Sequence, residues 1–577
     1  MGLFSKRSKV YLSADGSKST SPLGSPVPSP PNTPGLTTSS SGYSSSSSSG
    51  LSREPSMIRV PKDPYAGRDP PSMFSFFSPG AAEDGGAFSN FESPRLKVLI
   101  VGTGFAGLSS AIACARQGFS VTVLERTSGL SQHGDSIVFG SNASLLLHRW
   151  GVGQEMYERN GSKGDRWEFR DQSGELLHEE DVGGFKQTFG APLLQGRRAG
   201  FLGSLGTEAR MLGVRILLDS EVVAYSDSED QPGVQLSSGE LLRSDVIIVA
   251  DGVHSPARDL LAPHDRPATQ KQPSGYSIHR GVASGEALKK DRQSRHLLDG
   301  NVRIWLGKDA HCCTYPMDNG RSLAFTFTHR DPSTSSSLNW RDKRSMDDLL
   351  AHIGPEWDPV LLNALTYFPS ALHWPIFEEK PAEEWISRGG KICFVGDSIH
   401  AMQPTSFQGG SQAVEDAATV ALCLALAGGD SAGVFVALQT YEALRRPRVG
   451  EAQKLGAKQQ HVWHHYTADA SGHTDLTASF SHLSLSPPFS SSASSPPSSP
   501  FTVPSAPSLR PLSFALYGHD AERFALSNFA AFAAAVDPSF KVRDEWVVEA
   551  ARRAEVPLPA EMRKKQEETV KRRQARR

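Results

Sequence analysis

Apolar and polar positions along this chain change their period from region to region, and the changes predict its elements. The run LKVLIV, Leu96 to Val101, is short and continuously apolar, the pattern of a strand covered on both faces. A glycine-bearing turn follows, Gly102 to Gly107, then an Ala/Leu-rich stretch at helical period, then SVTVLE ending on Glu125. That order predicts a strand–turn–helix–strand unit of a parallel sheet. GVRILLDSEVVAYSD, GVQLSSGELL and DVIIVADG then read as successive strands that bring the chain back to the same sheet at Asp251. From about Tyr276 to Phe377 longer runs alternate with period two. In HCCTYPMDNGRSLAFTFTHR the Asp318-Asn319-Gly320 turn joins two runs, with Leu323, Phe325 and Phe327 on one face. The expectation is an antiparallel sheet with one buried side. KICFVGD re-enters the first sheet, which makes that domain discontinuous, and a helix through Glu415 to Leu426 should pack on it.

Composition removes much of the length of 577 residues from the folded part. Residues 1–93, with SSSGYSSSSSSG, and 470–508, with SPPFSSSASSPPSSP, lack apolar periodicity and are expected to be disordered. The expected boundaries are a first part of the parallel-sheet domain at 94–275, an antiparallel β domain at 276–380 and a second part of the parallel-sheet domain at 381–469. A helical segment with a basic tail, ending KRRQARR, follows at 509–577. A net charge of −2 gives no reason to expect nucleic acid, which calls for a concentrated basic face. Five scattered cysteines read as reduced thiols in a cytoplasmic setting, and no apolar run is long enough for an integral membrane span. Targeting by the N-terminal arm stays open, as does the oligomeric state.

Three motifs in fixed order carry the chemistry: GTGFAG at Gly102–Gly107, DGVHSPAR at Asp251–Arg258, and GDSIHAMQP at Gly396–Pro404. The first is a dinucleotide fingerprint, whose glycines let a pyrophosphate reach a helix N-terminus. Glu125 ends the next strand at the distance where a carboxylate meets ribose hydroxyls. Together the three motifs resemble the class A flavoprotein monooxygenases, the group containing salicylate and para-hydroxybenzoate hydroxylases, over roughly Leu96 to Trp463. GDSIHAMQPTSFQGGSQAVED is also similar to the corresponding stretch of zeaxanthin epoxidase, and LYGHD near Leu516 is a fainter echo.

The resemblance implies an α/β fold, a Rossmann-like FAD-binding domain of the para-hydroxybenzoate hydroxylase type with an antiparallel substrate sheet. It implies bound FAD, NADPH or NADH as electron donor, and O₂ as co-substrate. The reaction implied is hydroxylation of a small phenolic or aromatic acid substrate by a flavin C4a-hydroperoxide. The alternatives are an epoxidase or tailoring monooxygenase of a terpenoid or polyketide and, in another class, a flavin-binding scaffold of weak activity. The cofactor residues implied are Gly102, Gly104, Gly107, Glu125, Arg126, Arg198, Asp251, Gly252, Gly396, Asp397, Pro404, Gly409 and Gly410. Arg198 is preferred to Arg197 because Phe201 and Leu205 follow it at helical spacing. Asp251 has the alternative of bracing Ser255 or Arg258.

No catalytic base is identified. Pro404, Phe407, His400, Tyr276 and Tyr315 are pocket candidates, with His279 and His373 in the same region, and His400 reads mainly as structural. The family loop after the proline reads GQGxN, whereas this chain has Phe407 for the first glycine and Ser411 for the asparagine. A side chain at Phe407 argues against the usual loop conformation and for an aromatic ring at the pocket. No metal site is expected: His461, His464 and His465 share a helical face but lack an acidic or thiol partner. Cys312 and Cys313, adjacent on a strand, should face opposite ways.

Overall fold

In the computed structural model the described residues are 10–12, 96–130, 135–228, 231–260, 272–331, 343–378, 382–465, 516–564 and 567–568. Apart from residues 10–12, the Ser/Pro-rich stretches expected to be disordered lie outside the described residues, as does the end of the basic tail.

LKVLIV forms β1 (Lys97–Val101), GTGFAG turns into α1 (Phe105–Arg116), and SVTVLE forms β2 (Ser120–Leu124). α2 (Ser141–Arg149) and, farther on, α3 (Arg198–Met211) flank this unit, and Phe201 and Leu205 are fully buried on the packed face of α3. The strands β5 (Arg215–Leu217) and β6 (Val246–Val249) complete the first half of a five-stranded sheet. Its last strand, β12 (Ile392–Phe394), arrives through KICFVGD and pairs in parallel with β6, Ile247 opposite Ile392. The strand order is β12-β6-β1-β2-β5, every pair parallel. β6 is buried along its whole length, as a central strand of a sheet covered on both faces must be.

The second sheet is larger and differs from expectation in two respects. It has eight strands. β3 (Arg166–Asp171) and β4 (Leu176–Asp181) come from the chain before β6; β7 (Gln272–Ser284), β8 (Val302–Gly307), β9 (Ala310–Met317), β10 (Ser322–Arg330) and β11 (Ala371–Glu378) come after it. With the two-residue strand Lys343–Arg344 outside β11, the order runs β11-β7-β10-β9-β8-β3-β4. The β8–β3 pair is parallel, so the sheet is mixed. Both faces are buried, because α4 (Met346–Ile353) and the helix Pro359–Leu365 cover the side that carries Leu323, Phe325 and Phe327. Cys312 belongs to that outer cluster and Cys313 to the inner one, so the two thiols do face opposite ways. All five cysteines are buried and free.

After β12 come the short turn of helix α5 (Asp397–His400), α6 (Gly409–Leu426) and the long α7 (Val434–His464). LYGHD then leads into α8 (Ala521–Val536) and α9 (Asp544–Ala554), which pack on the first domain. Arg149 of α2 pairs with Asp520 and Glu522, and Trp150 donates to Glu522, which fixes this segment to α2. No helix among the described residues is long and apolar enough to cross a membrane.

Candidate functional site

The turn between β1 and α1 is held by contacts that only glycine permits. Gly102 has φ of +104°, and a Cβ there would lie 2.5 Å from the Ala250 carbonyl oxygen; at Gly107 it would lie 1.9 Å from the Gly102 oxygen. Gly104, between them, faces open space at the N-terminus of α1. A backbone this close-packed on one side and bare on the other leaves amides for an anion. Glu125 stands beside the turn, where Oε2 accepts from the Thr103 amide and hydroxyl and Oε1 from the Thr127 amide and hydroxyl. Burial works against this carboxylate, but the four hydrogen bonds outweigh it and hold its pKa below the ordinary value.

The other two motifs meet at this edge of the sheet. Arg258, from DGVHSPAR, donates to the Asp397 and Ser398 carbonyl oxygens of GDSIH at 2.8 and 2.6 Å. Asp251 has a buried Oδ1 without a hydrogen-bond partner among the described residues. Burial raises its pKa to about 6, against the pull of Ser255, Arg258 and Arg126. Arg126 is exposed close to it, and the neighbouring Gly252 has a positive φ of +85° with open space beside it. Asp397 is exposed at the start of α5, with its charge felt by Arg198. Arg198 lies across the Phe105 ring, 4.8 Å from its centroid, and its backbone amide donates to Asp135. Burial pulls its pKa down from the usual arginine value, and Asp397 and Asp135 oppose that pull. Arg197 instead pairs with Asp318 on the hairpin turn, 2.8 Å away, so the two adjacent arginines face different partners.

Asp135 also pairs with Arg280 of β7, linking the cofactor domain to the substrate sheet. Neither Arg280 nor Asp135 was marked by a motif. Their pairing comes from two segments about 145 residues apart, and only the fold joins them.

Pro404 is exposed and Phe407 half-buried after it. Phe407 adopts the left-handed conformation, φ +51°, so a side chain does not exclude the backbone geometry that glycine favours, and that expectation is corrected. Its ring lies 4.8 Å from Trp167 of β3 and 6.2 Å from Trp463 of α7, a packing gain that offsets the conformational cost of about 1 kcal/mol. Ser411, in place of the family's asparagine, accepts from the Gly140 amide at 2.9 Å and so holds the loop before α2. Gly409 and Gly410 form the first residues of α6, their amides at its positive end.

His400 is turned into the protein. Its Nε2 is 2.5 Å from Asp416, which also accepts from the Gly396 amide and from Arg445. Glu415 next to it takes Arg445, Arg448 and Asn142. This buried cluster clamps GDSIH and α2 to α6, which fits the structural reading of His400. Tyr276 packs on His464, centroids 5.0 Å apart, on the inner face of the sheet. Tyr315 is buried on the same face, and burial holds its pKa well above the ordinary phenol value. His279 and His373 are not there: they lie on the outer face, turned from the cofactor domain, which removes them as pocket candidates. His461, His464 and His465 do not converge either. His464 turns inward to His311, 2.7 Å away, while His461 and His465 stack on the exposed side.

A dinucleotide cradle at the edge of a parallel sheet, joined to a large mixed sheet across an arginine–aspartate pair, is the arrangement of a flavin-binding oxidoreductase. Residues 95–455 match the family described as FAD binding domain, and the chain belongs to it. The chain is 29% identical over 383 residues to the asperlicin C monooxygenase of Petromyces alliaceus, spanning 64% of this chain and 81% of that protein. It is 30% identical over 390 residues to the FAD-dependent monooxygenase nanF of Aspergillus nanangensis, spanning 63% of this chain and 81% of that one. Among solved structures, FqzB superimposes with TM-score 0.62 at 27% identity, covering 78% of this chain and 95% of that one. A salicylate hydroxylase–substrate complex shares the fold, with TM-score 0.56 at 24% identity over 67% of this chain and 92% of that one. The protein is an FAD-dependent monooxygenase, an oxidoreductase that binds FAD.

Proposed function

We propose that this monooxygenase inserts one oxygen atom of O₂ into an electron-rich aromatic ring, with NADPH or NADH as electron donor. The observation that carries the reading is the aromatic wall at the seam between the domains. The half-buried Phe407 ring stands 4.8 Å from Trp167 and 6.2 Å from Trp463, in a cluster with Tyr315 on the inner sheet face. Ring faces at such separations favour a further ring laid against them.

The residues present fit FAD. Gly102, Gly104 and Gly107 leave bare amides for the pyrophosphate, and Glu125 would trade the Thr103 and Thr127 hydroxyls for those of the ribose. Arg126 and Arg198 would offset phosphate charge. Asp251, with its unpartnered oxygen beside Gly252, and the exposed Asp397 beside Gly396 would accept from ribityl hydroxyls. Pro404, Gly409 and Gly410 would line the ring, with the positive end of α6 toward its anionic edge. When bound, the flavin supplies electron acceptance from the nicotinamide and activation of O₂.

The chain's own contribution is to hold the substrate and keep water out. Tyr315, a phenol whose pKa burial raises further above its ordinary value, is protonated at neutral pH and would orient a substrate oxygen rather than act as a base. Arg280, held by Asp135, puts a positive charge at the seam where an anionic substrate would be attracted. A second reading is tailoring of a larger natural product, supported by the likeness to the asperlicin C monooxygenase, with epoxidation as the chemistry that the zeaxanthin-epoxidase-like stretch from Gly396 favours.

The test is a substrate panel read two ways. Substrate-stimulated NADPH oxidation with gain of one oxygen on an aromatic carbon supports the proposal. An epoxide supports the second reading, and NADPH oxidation that no substrate stimulates would leave a flavin-binding scaffold.

A further inference from the structure

The outer face of the substrate sheet holds a group of histidines with no part in the flavin site. His279 of β7 lies directly opposite His373 of β11, and His329 of β10 lies opposite Ser277, two residues from His279. Side chains two apart, and those directly paired across strands, share a face, so the three imidazoles converge. One nitrogen from each lies within 4.8 Å of the other two. Ring centroids are 4.2 Å apart for His279 and His373, 5.2 Å for His279 and His329, and 6.2 Å for His329 and His373. All three are at least nine-tenths buried, under α4 and beside Phe327 and Trp357.

Two of these side chains have a ring nitrogen for which the fold supplies no partner. His279 Nδ1 and His329 Nε2 are buried without a hydrogen bond among the described residues. Such nitrogens are expensive to leave bare in an apolar surrounding. The opposite nitrogen of His329 is accounted for: Nδ1 lies 3.0 Å from the Arg330 carbonyl oxygen and 3.2 Å from His352 Nε2. A proton on Nδ1 toward that carbonyl leaves the Nε2 lone pair free to bind, as in metal-bound histidines whose other nitrogen donates to a carbonyl. Asp331, 4.0 Å from His373 Nε2 and hydrogen-bonded to Ser277, stands where a carboxylate behind a ligating histidine belongs.

We propose that His279, His329 and His373 form a binding site for one divalent transition-metal ion, zinc above all, that ties β7, β10 and β11 together on the face turned away from the flavin. Three neutral imidazoles suit zinc, which needs no redox change and accepts a water as fourth ligand. No carboxylate is among the three ligands, which disfavours calcium and magnesium. The ligands come from three neighbouring strands, and the inner face of those strands carries Arg280 and Tyr276. The expectation of no metal weighed only His461, His464 and His465, and ligands more than 40 residues apart on three strands leave no short spacing to read.

Untagged, FAD-bound protein is stripped with chelator, desalted and titrated with Zn²⁺ against a chromophoric zinc chelator, with melting temperature followed in parallel. One tight equivalent per chain is expected, with a melting temperature that rises with zinc concentration. His279→Gln and His329→Gln should each weaken binding more than tenfold at unchanged flavin content, whereas His461→Ala, in the exposed His461–His465 pair, should not. Absence of a tight equivalent in the wild type overturns the proposal, and so does loss of binding in His461→Ala alone. If either glutamine variant fails to hold flavin, X-ray absorption of the zinc-loaded wild type decides. Three imidazole nitrogens at about 2.0–2.1 Å support the site, and fewer than three overturn it.

Discussion

At single residues, exposure separates side chains that bind from side chains that hold the fold. Asp397 is exposed at the head of α5 and Asp416 is fully buried behind it, so the same carboxylate chemistry has different consequences. Asp397→Ala should lower the flavin-to-protein absorbance ratio severalfold while leaving the far-ultraviolet circular dichroism unchanged; full flavin retention would remove Asp397 from the site. Phe407 offers a finer test. Phe407→Gly relieves a left-handed side-chain residue but loses the Trp167 and Trp463 contacts, and the two effects are each about 1 kcal/mol. Stability should therefore stay within about 1 kcal/mol, while the pocket wall opens. Paired measurement of NADPH consumed, peroxide released and product formed should show more peroxide per product, since a wetter site wastes activated oxygen. An unchanged ratio would place Phe407 outside the pocket.

Among elements, the joint between α5, α6 and α7 carries the largest electrostatic stake. Arg445 is fully buried between Glu415 and Asp416, and removing it takes from each buried carboxylate one charged partner, leaving Glu415 to Arg448 and Asp416 to His400. Arg445→Met should destabilise by about 3–5 kcal/mol, read as a fall in urea midpoint. A loss under 1 kcal/mol would mean that water reaches the cluster. This joint was partly legible in advance: the order GDSIH, glycines, Glu-Asp predicted a loop feeding a helix, and α1, β1, β2 and the hairpin at Asp318-Asn319-Gly320 stand where periodicity put them. What could not be read were the partners across long separations. Arg445 has no motif, and Arg280 with Asp135 is likewise defined only by folding. The substrate sheet was misjudged as half-exposed because its outer residues alternate like its inner ones. Covering helices such as α4 come later in the chain and leave no mark on the strand pattern.

For the whole molecule, buried histidines set the acid limit. His519 is held at about 3 and His464 at about 4, mainly by burial. The unfolded chain takes up these protons near pH 6.5 and the folded chain does not. Stability is thus highest above that value and falls as pH drops toward about 4, by up to about 1.4 kcal/mol per pH unit for each. Glu415 and Asp416, whose folded pKa values are lowered, add a second loss only below about 4, where the unfolded carboxylates protonate. The urea midpoint should decline between pH 7 and 5; a flat profile over that window would contradict the burial of these rings. The discontinuous sheet has a consequence for how the protein is made. β6 is complete long before its neighbour β12, with roughly 150 residues of substrate sheet between them. At the usual elongation rates of about 5–20 residues per second, the nascent chain spends roughly 10–30 s on the ribosome with a bare, wholly apolar strand edge. Throughout that interval the half-made sheet is open to pairing with any other strand, and a chaperone that shields β6 until β12 emerges would govern how much working enzyme a cell obtains.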